Sequence, residues 1–232
     1  MGAMFATSSD GVRIACEVHG TGPILLLLHG FSNDRRLWTK HRWIAHLQPA
    51  FTVLTMDMRG CGDSDAPLVP SAYQVALHLA DIDAVADACH VDRFRLWGWS
   101  FEGTLGLHLA ARSPRLQRAV IAGTYFGRLF TEAYVQRRLA AAVSPVVRVR
   151  WQGVQSWPGV EPEDVQCPTM VYTGAADGQV VVQLQQQRAA MEAAGMSLHA
   201  LPNLGHGELG SAVDIVAPLH SAVPAVVVEH TE

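Results

Sequence analysis

Apolar and polar positions along this 232-residue chain follow two rhythms. Residues 4–18 alternate around Ser9-Asp10-Gly11, the pattern of a half-buried β-hairpin with a glycine turn. Pro23-Ile24-Leu25-Leu26-Leu27-Leu28 is apolar throughout. A run with no polar side belongs to a strand covered on both faces, as in a parallel sheet. Short apolar runs follow at 52–56, 94–97, 119–122, 169–173 and 197–201. Between them lie helix-like stretches at about 34–47, 72–89, 102–111 and 180–194, and a last helix starts after Gly210. This alternation predicts a mostly parallel sheet with helices on both faces and right-handed crossovers.

One stretch breaks the rhythm. Residues 127–163 carry no clear strand and hold Arg128, Arg137, Arg138, Arg148 and Arg150 together with Trp151 and Trp157. A long insertion in a regular α/β chain is usually functional, often a cover over a site. The expected organisation is therefore a single domain, 1–232, with a lid insertion at about 127–163.

Composition narrows the function classes. With 49% hydrophobic and 16% charged residues, the chain has the makings of a large core and not of a disordered segment. A net charge of -4 lacks the basic face that nucleic acid requires. The longest apolar run, 23–28, is too short to span a bilayer, and the first ten residues lack a basic start and a sustained apolar run. The four cysteines, Cys16, Cys61, Cys89 and Cys167, are scattered, which reads as reduced thiols in a cytoplasmic protein. The eleven histidines include no HExxH and no Cys/His cluster, so neither metal nor cofactor is expected. The expected partner is a small-molecule substrate, with no nucleic acid and no membrane. Nothing in the sequence sets an oligomeric state.

Open α/β sheets place ligands at the carboxyl ends of their strands. At those ends stand His29-Gly30-Phe31, Gly98-Trp99-Ser100-Phe101-Glu102-Gly103, Gly174-Ala175-Ala176-Asp177 and Gly205-His206-Gly207. A serine hydroxyl needs a base to take its proton, and the base needs a partner to fix its tautomer. His206 is the candidate base and Asp177 the candidate orienting acid. The backbone N–H groups of Phe31 and Phe101 are placed to hold an oxyanion. Trp99, Phe31 and His29 are read as pocket residues, with His29 shaping its loop by hydrogen bonding. Each residue also has a plainer reading. Ser100 suits a helix N-cap, Asp177 a turn, and Asp57, Asp63 and Asp65 the holding of a loop. Trp151 and Trp157 suit anchors for the lid. Glu102 reads first as a solvated side chain in the first turn of its helix, and second as a partner for a lid arginine.

Taken together, these motifs resemble the α/β-hydrolase family across nearly the whole chain. His29-Gly30-Phe31 resembles its oxyanion loop, residues 57–65 its loop after the fourth strand, 98–101 its nucleophile elbow, 174–177 its acid turn and 205–206 its histidine loop. Two positions depart from the pattern: Cys61 stands where histidine is common, and Glu102 where the elbow usually has its second glycine. The resemblance implies an eight-stranded α/β-hydrolase fold with a short lid. It also implies a Ser100–His206–Asp177 mechanism through an acyl-enzyme, with a carboxylesterase acting on small or medium acyl groups as the leading reading. A carbon–carbon bond hydrolase or an acyltransferase with the same triad is the alternative, as is a non-catalytic binding or signalling module of the same fold. Haloalkane dehalogenases and epoxide hydrolases of this fold are disfavoured, because they use an aspartate where Ser100 stands.

Overall fold

The computed structural model describes residues 3–214. Eight strands form one sheet: β1 (Met4–Thr7), β2 (Arg13–His19), β3 (Ile24–Leu28), β4 (Thr52–Met56), β5 (Phe94–Trp99), β6 (Leu116–Ala122), β7 (Thr169–Gly174) and β8 (Ser197–Leu201). Their spatial order is β1-β2-β4-β3-β5-β6-β7-β8. The hairpin strand β2 pairs antiparallel with β1 and β4, and every other pairing is parallel. The helices are α1 (Arg36–Lys40), α2 (Trp43–Leu47), α3 (Val75–Ala88), α4 (Phe101–Arg112), α5 (Glu132–Ala141), α6 (Pro145–Val154) and α7 (Gly178–Ala193). The body of the last helix expected after Gly210 lies outside the described residues. None of the described helices is long and apolar enough to cross a membrane.

The apolar run of β3 does what its lack of a polar side implies. Leu26 and Leu28 face one core layer and Leu25 and Leu27 the other, and all four are buried. The helix expected over 34–47 is instead two short ones, broken where Arg42 turns left-handed at φ 64°. Packing explains the break. Trp38 and Trp43 sit five residues apart, which on a continuous helix turns them roughly 140° from each other. With the break, both reach Trp97, at ring distances of 4.9 and 4.5 Å, and all three indoles are fully buried. The stretch 127–163 holds α5 and α6 and a single bridge between Gly127 and Val160.

Charged side chains tie the loops beyond β4 to the body. Asp57 accepts hydrogen bonds from the backbone N–H groups of Arg35 (2.7 Å) and Asp63 (2.8 Å), and the Arg35 guanidinium closes on it. Asp65 accepts from the N–H of Arg13 at 2.8 Å. Arg59, fully buried, makes two 2.7 Å contacts with the Asp81 carboxylate on α3 and one of 2.9 Å with Asp10 in the hairpin turn. Removing one partner of a buried pair leaves the other charge uncompensated, at a cost of about 3–5 kcal/mol. Asp81→Ala is therefore expected to lower unfolding stability by about that amount, as read from the midpoint of a urea transition at unchanged slope.

Candidate active site

The site is built at the carboxyl edge of the sheet, and its centre is a strained turn. Ser100 links β5 to α4 at φ 60°, ψ −120°, outside the regions that L-residues prefer. Its N–H donates to the Ala122 carbonyl at 2.8 Å, and its own carbonyl accepts from Thr104 at 3.1 Å. Helix and sheet approach so closely here that side chains are excluded. A Cβ on Gly98 would lie 2.8 Å from the Glu102 carbonyl oxygen, and one on Gly103 would lie 2.9 Å from that of Ala122. The small residue that the packing demands after the serine is thus Gly103. This is why position 102 tolerates a glutamate.

The order of hydrogen bonds from Ser100 is continuous. Its Oγ lies 2.8 Å from His206 Nε2. His206 Nδ1 lies 3.0 Å from both carboxylate oxygens of Asp177, and Asp177 also accepts from the Thr173 hydroxyl at 3.0 Å. A carboxylate accepts only, so Nδ1 carries the proton and Nε2 is left to accept from the serine. Asp177 is buried at the start of α7, whereas the His206 side chain is 41% exposed. The histidine loop is tethered in turn: the Gly205 N–H donates to the Glu208 carboxylate, and Trp43 Nε1 donates to the Gly210 carbonyl at 2.9 Å. Around the serine, the N–H groups of Phe31 and Phe101 have no acceptor among the described residues.

A cavity of about 680 Å³ opens on these groups. Ser100, His206 and Asp177 line it, with Phe31, Trp99, Phe101 and Phe130 among its aromatic walls. Arg137 and Arg138 of α5 border it as well. Both are exposed, and their guanidiniums stand 5.4 and 5.0 Å from the Tyr134 ring centre. The two tryptophans of the 127–163 stretch differ. Trp151 lines the cavity and stacks on Phe31 at 4.0 Å. Trp157 is an anchor, buried with its Nε1 donating to the Tyr73 carbonyl at 2.9 Å.

Two expectations need correction. His29 is not a pocket residue: it is fully buried and absent from the cavity walls. Its ring turns inward from the end of β3, where Nδ1 donates to the Gly30 carbonyl (3.0 Å) and Nε2 accepts from the Met58 N–H (3.3 Å). Burial holds its pKa down at about 4, so it shapes the loop as a neutral ring. Glu102 is not a solvated helix-start residue either: it is fully buried, 4.0 Å from Arg150 Nη2. Burial raises its carboxyl well above the ordinary range, with Arg150 pulling in the opposite direction. The second reading of Glu102, as a partner for an arginine of the 127–163 stretch, is the one the structure favours, with Arg150 facing it; Thr173, four residues before Asp177 at the end of β7, and the contact of Arg150 with the Phe31 carbonyl were missed. The only signal for Arg150 was an acid in the elbow and a run of basic residues in the insertion.

The chain belongs to the alpha/beta hydrolase fold family, whose model matches residues 23–144. It is 28% identical over 123 residues to a putative 2-succinyl-6-hydroxy-2,4-cyclohexadiene-1-carboxylate synthase of Bacillus subtilis (strain 168), covering 52% of this chain and 44% of that protein. It is 27% identical over 115 residues to Epoxide hydrolase 3 of Siraitia grosvenorii, covering 49% and 36%. The matched stretch thus spans less than half the length of these curated relatives. Among solved structures, the enol-lactonase from Burkholderia xenovorans LB400 superposes with a TM-score of 0.78 at 19% identity, over 95% of this chain and 99% of that one. A thermophilic esterase from Thermogutta terrifontis does so at 0.75 and 19%, over 96% and 97%. At such identities the likeness is one of fold.

The buried histidines make stability depend on pH. His29 and His108 both have folded pKa values held down at about 4 by burial, against about 6.5 when unfolded. Between those values the unfolded chain binds more protons than the native one. Stability is then complete above about pH 6.5 and falls as the pH drops towards 4, by about 1.4 kcal/mol per pH unit for each histidine. His108→Gln is expected to remove one histidine's share of that slope in urea titrations at a series of pH values.

Proposed function

We propose that this chain is a serine hydrolase that cleaves carboxylic esters of small or medium acyl groups. The observation that carries the reading is the unbroken relay from Ser100 Oγ through His206 to Asp177, at 2.8 and 3.0 Å, ending on a serine held in a strained turn. Ser100 attacks the ester carbonyl while His206 Nε2 takes its proton. Asp177, held by Thr173, keeps His206 in the required tautomer and balances the imidazolium. The N–H groups of Phe31 and Phe101 stabilise the oxyanion. His206 then returns the proton to the leaving alcohol, and water attacks the acyl-enzyme by the same route in reverse. Residues 127–163 serve as the lid of a single domain.

Several features support this reading over its relatives' other chemistries. A hydroxyl nucleophile with a neutral histidine base suits acyl transfer. Among the described residues of the cavity wall, Asp177 is the one acid and is already engaged by His206, whereas Arg137 and Arg138 stand over the Tyr134 ring and pair with no carboxylate among the described residues. The mouth is therefore locally positive on a chain of net charge -4, which favours an ester carrying an anionic group beyond its scissile bond.

Two measurements test the reading. A fluorophosphonate is expected to add once to the protein, with the adduct lost in Ser100→Ala and greatly slowed in His206→Ala; ester turnover in either variant is expected to fall by about 10⁴-fold or more. A folded protein that takes no adduct and turns over no ester would sink the proposal. Second, a monoester of a dicarboxylic acid is expected to show a lower KM than its neutral isostere. The combined Arg137→Met and Arg138→Met changes would erase that difference while the neutral ester is still cleaved.

A further inference from the structure

Arg150 projects from α6 into the body of the protein and is 3% exposed. Its aliphatic stem passes Gly60, which turns left-handed at φ 78° and where a Cβ would lie 2.9 Å from Arg150 Cδ. Its Nη1 donates to the Phe31 carbonyl at 3.0 Å. Its guanidinium lies 3.9 Å from the centre of the Phe31 ring and 5.9 Å from that of Phe101. On the other side, Nη2 faces Glu102 Oε1 at 4.0 Å. Both carboxylate oxygens of Glu102, and Nε and Nη2 of Arg150, have no hydrogen-bond partner among the described residues. Glu102 and Arg150 thus face each other as buried side chains across 4.0 Å, while the hydrogen bond of the guanidinium goes to the Phe31 carbonyl.

The geometry matters because three site elements meet at this guanidinium. Phe31 is in the oxyanion loop, Glu102 is in the first turn of the elbow helix, and Arg150 is in the lid. Holding the Phe31 carbonyl limits rotation of that residue, and its N–H is the oxyanion donor in the proposed mechanism. The Phe31 ring is held too, stacked on Trp151 at 4.0 Å and edge-on to Phe101 at 5.0 Å. Helix α6 is docked firmly enough to serve as the support: Gly153 approaches so closely that a Cβ there would lie 2.4 Å from the Pro70 carbonyl oxygen.

We propose that Arg150 is a positioning residue for the oxyanion loop: seated between Glu102 and the Phe31 carbonyl, it keeps the Phe31 N–H beside Ser100, so that the oxyanion site is complete only while α6 is docked. The proposal rests on Ser100 acting as a nucleophile. It gives the departure in the elbow a purpose, since Glu102 is the acid that faces this buried arginine.

The test must separate positioning from simple stability. Arg150→Met removes the donor and keeps the volume, and Glu102→Gln with Arg150→Met also removes the acid that faces it. Arg150→Met is expected to lower kcat on a simple ester by about 100-fold, the size of effect seen when one oxyanion donor is lost, with KM changed less than about threefold. The double variant is expected to regain melting temperature relative to Arg150→Met and to leave kcat low, whereas Arg150→Lys, which keeps a donor, recovers part of kcat. Amide hydrogen exchange over residues 29–34 is expected to quicken in Arg150→Met while β5 is unchanged. If kcat returns together with melting temperature in the double variant, or if exchange over 29–34 does not move in Arg150→Met, the positioning role is wrong. If the wild-type protein neither cleaves esters nor takes the phosphonate, the hydrolase reading fails instead, and the exchange measurement still decides whether Arg150 holds the loop.

Discussion

Helix α4 approaches the sheet more closely than side chains permit, and the rest of the site depends on that approach. The contacts of Gly98 and Gly103 with facing carbonyls, and of Gly106 with Ile121 and Leu96, bring the helix start down onto the strand ends. Ser100 is squeezed into a backbone conformation it would not choose, and surrounding hydrogen bonds hold it there. The strain has a geometric return. The hydroxyl stands clear of both helix and strand, within reach of a histidine from another loop, and the first N–H of the helix remains free beside it. A wider helix–sheet spacing would relax the serine and separate these groups.

The loops that converge on this turn have little secondary structure of their own, and charge holds them. Asp57 gathers the backbone of the loop before α1 and of its own loop, Arg59 joins the hairpin turn to α3, and Arg150 joins α6 to the loop after β3. Such groups contribute little net free energy, because their desolvation offsets much of their attraction. Their value is directional. Apolar packing of equal area would let these loops slide, whereas hydrogen bonds to particular backbone atoms do not.

The sheet was legible because its central strands are apolar on both faces, and β-strand runs and glycine turns leave local marks. The positions of Ser100, Asp177 and His206 were equally legible, since each follows a strand and the packing of a parallel sheet sends all strand ends to one edge. What was not legible had a non-local cause. The break at Arg42 follows from two tryptophans competing for Trp97. The burial of Glu102 follows from an arginine forty-eight positions later in the chain. His29 looked like a pocket residue because it stands two positions before Phe31, but the direction of a side chain at a strand end depends on the neighbouring loop, here the Met58 N–H. The close sequence neighbours of a site residue are therefore weaker guides than the loops facing it.

The separation of the triad along the chain carries a consequence for biosynthesis. Ser100 and His206 are 106 residues apart, and the Trp43 bond that steadies the histidine loop bridges 167. A ribosome adding about 5–20 residues per second finishes Ser100 about five to twenty seconds before His206. During that interval the nascent chain holds Ser100 without its hydrogen-bond partner. The hydrogen-bonded arrangement around Ser100 therefore forms only after the chain has been made past β8.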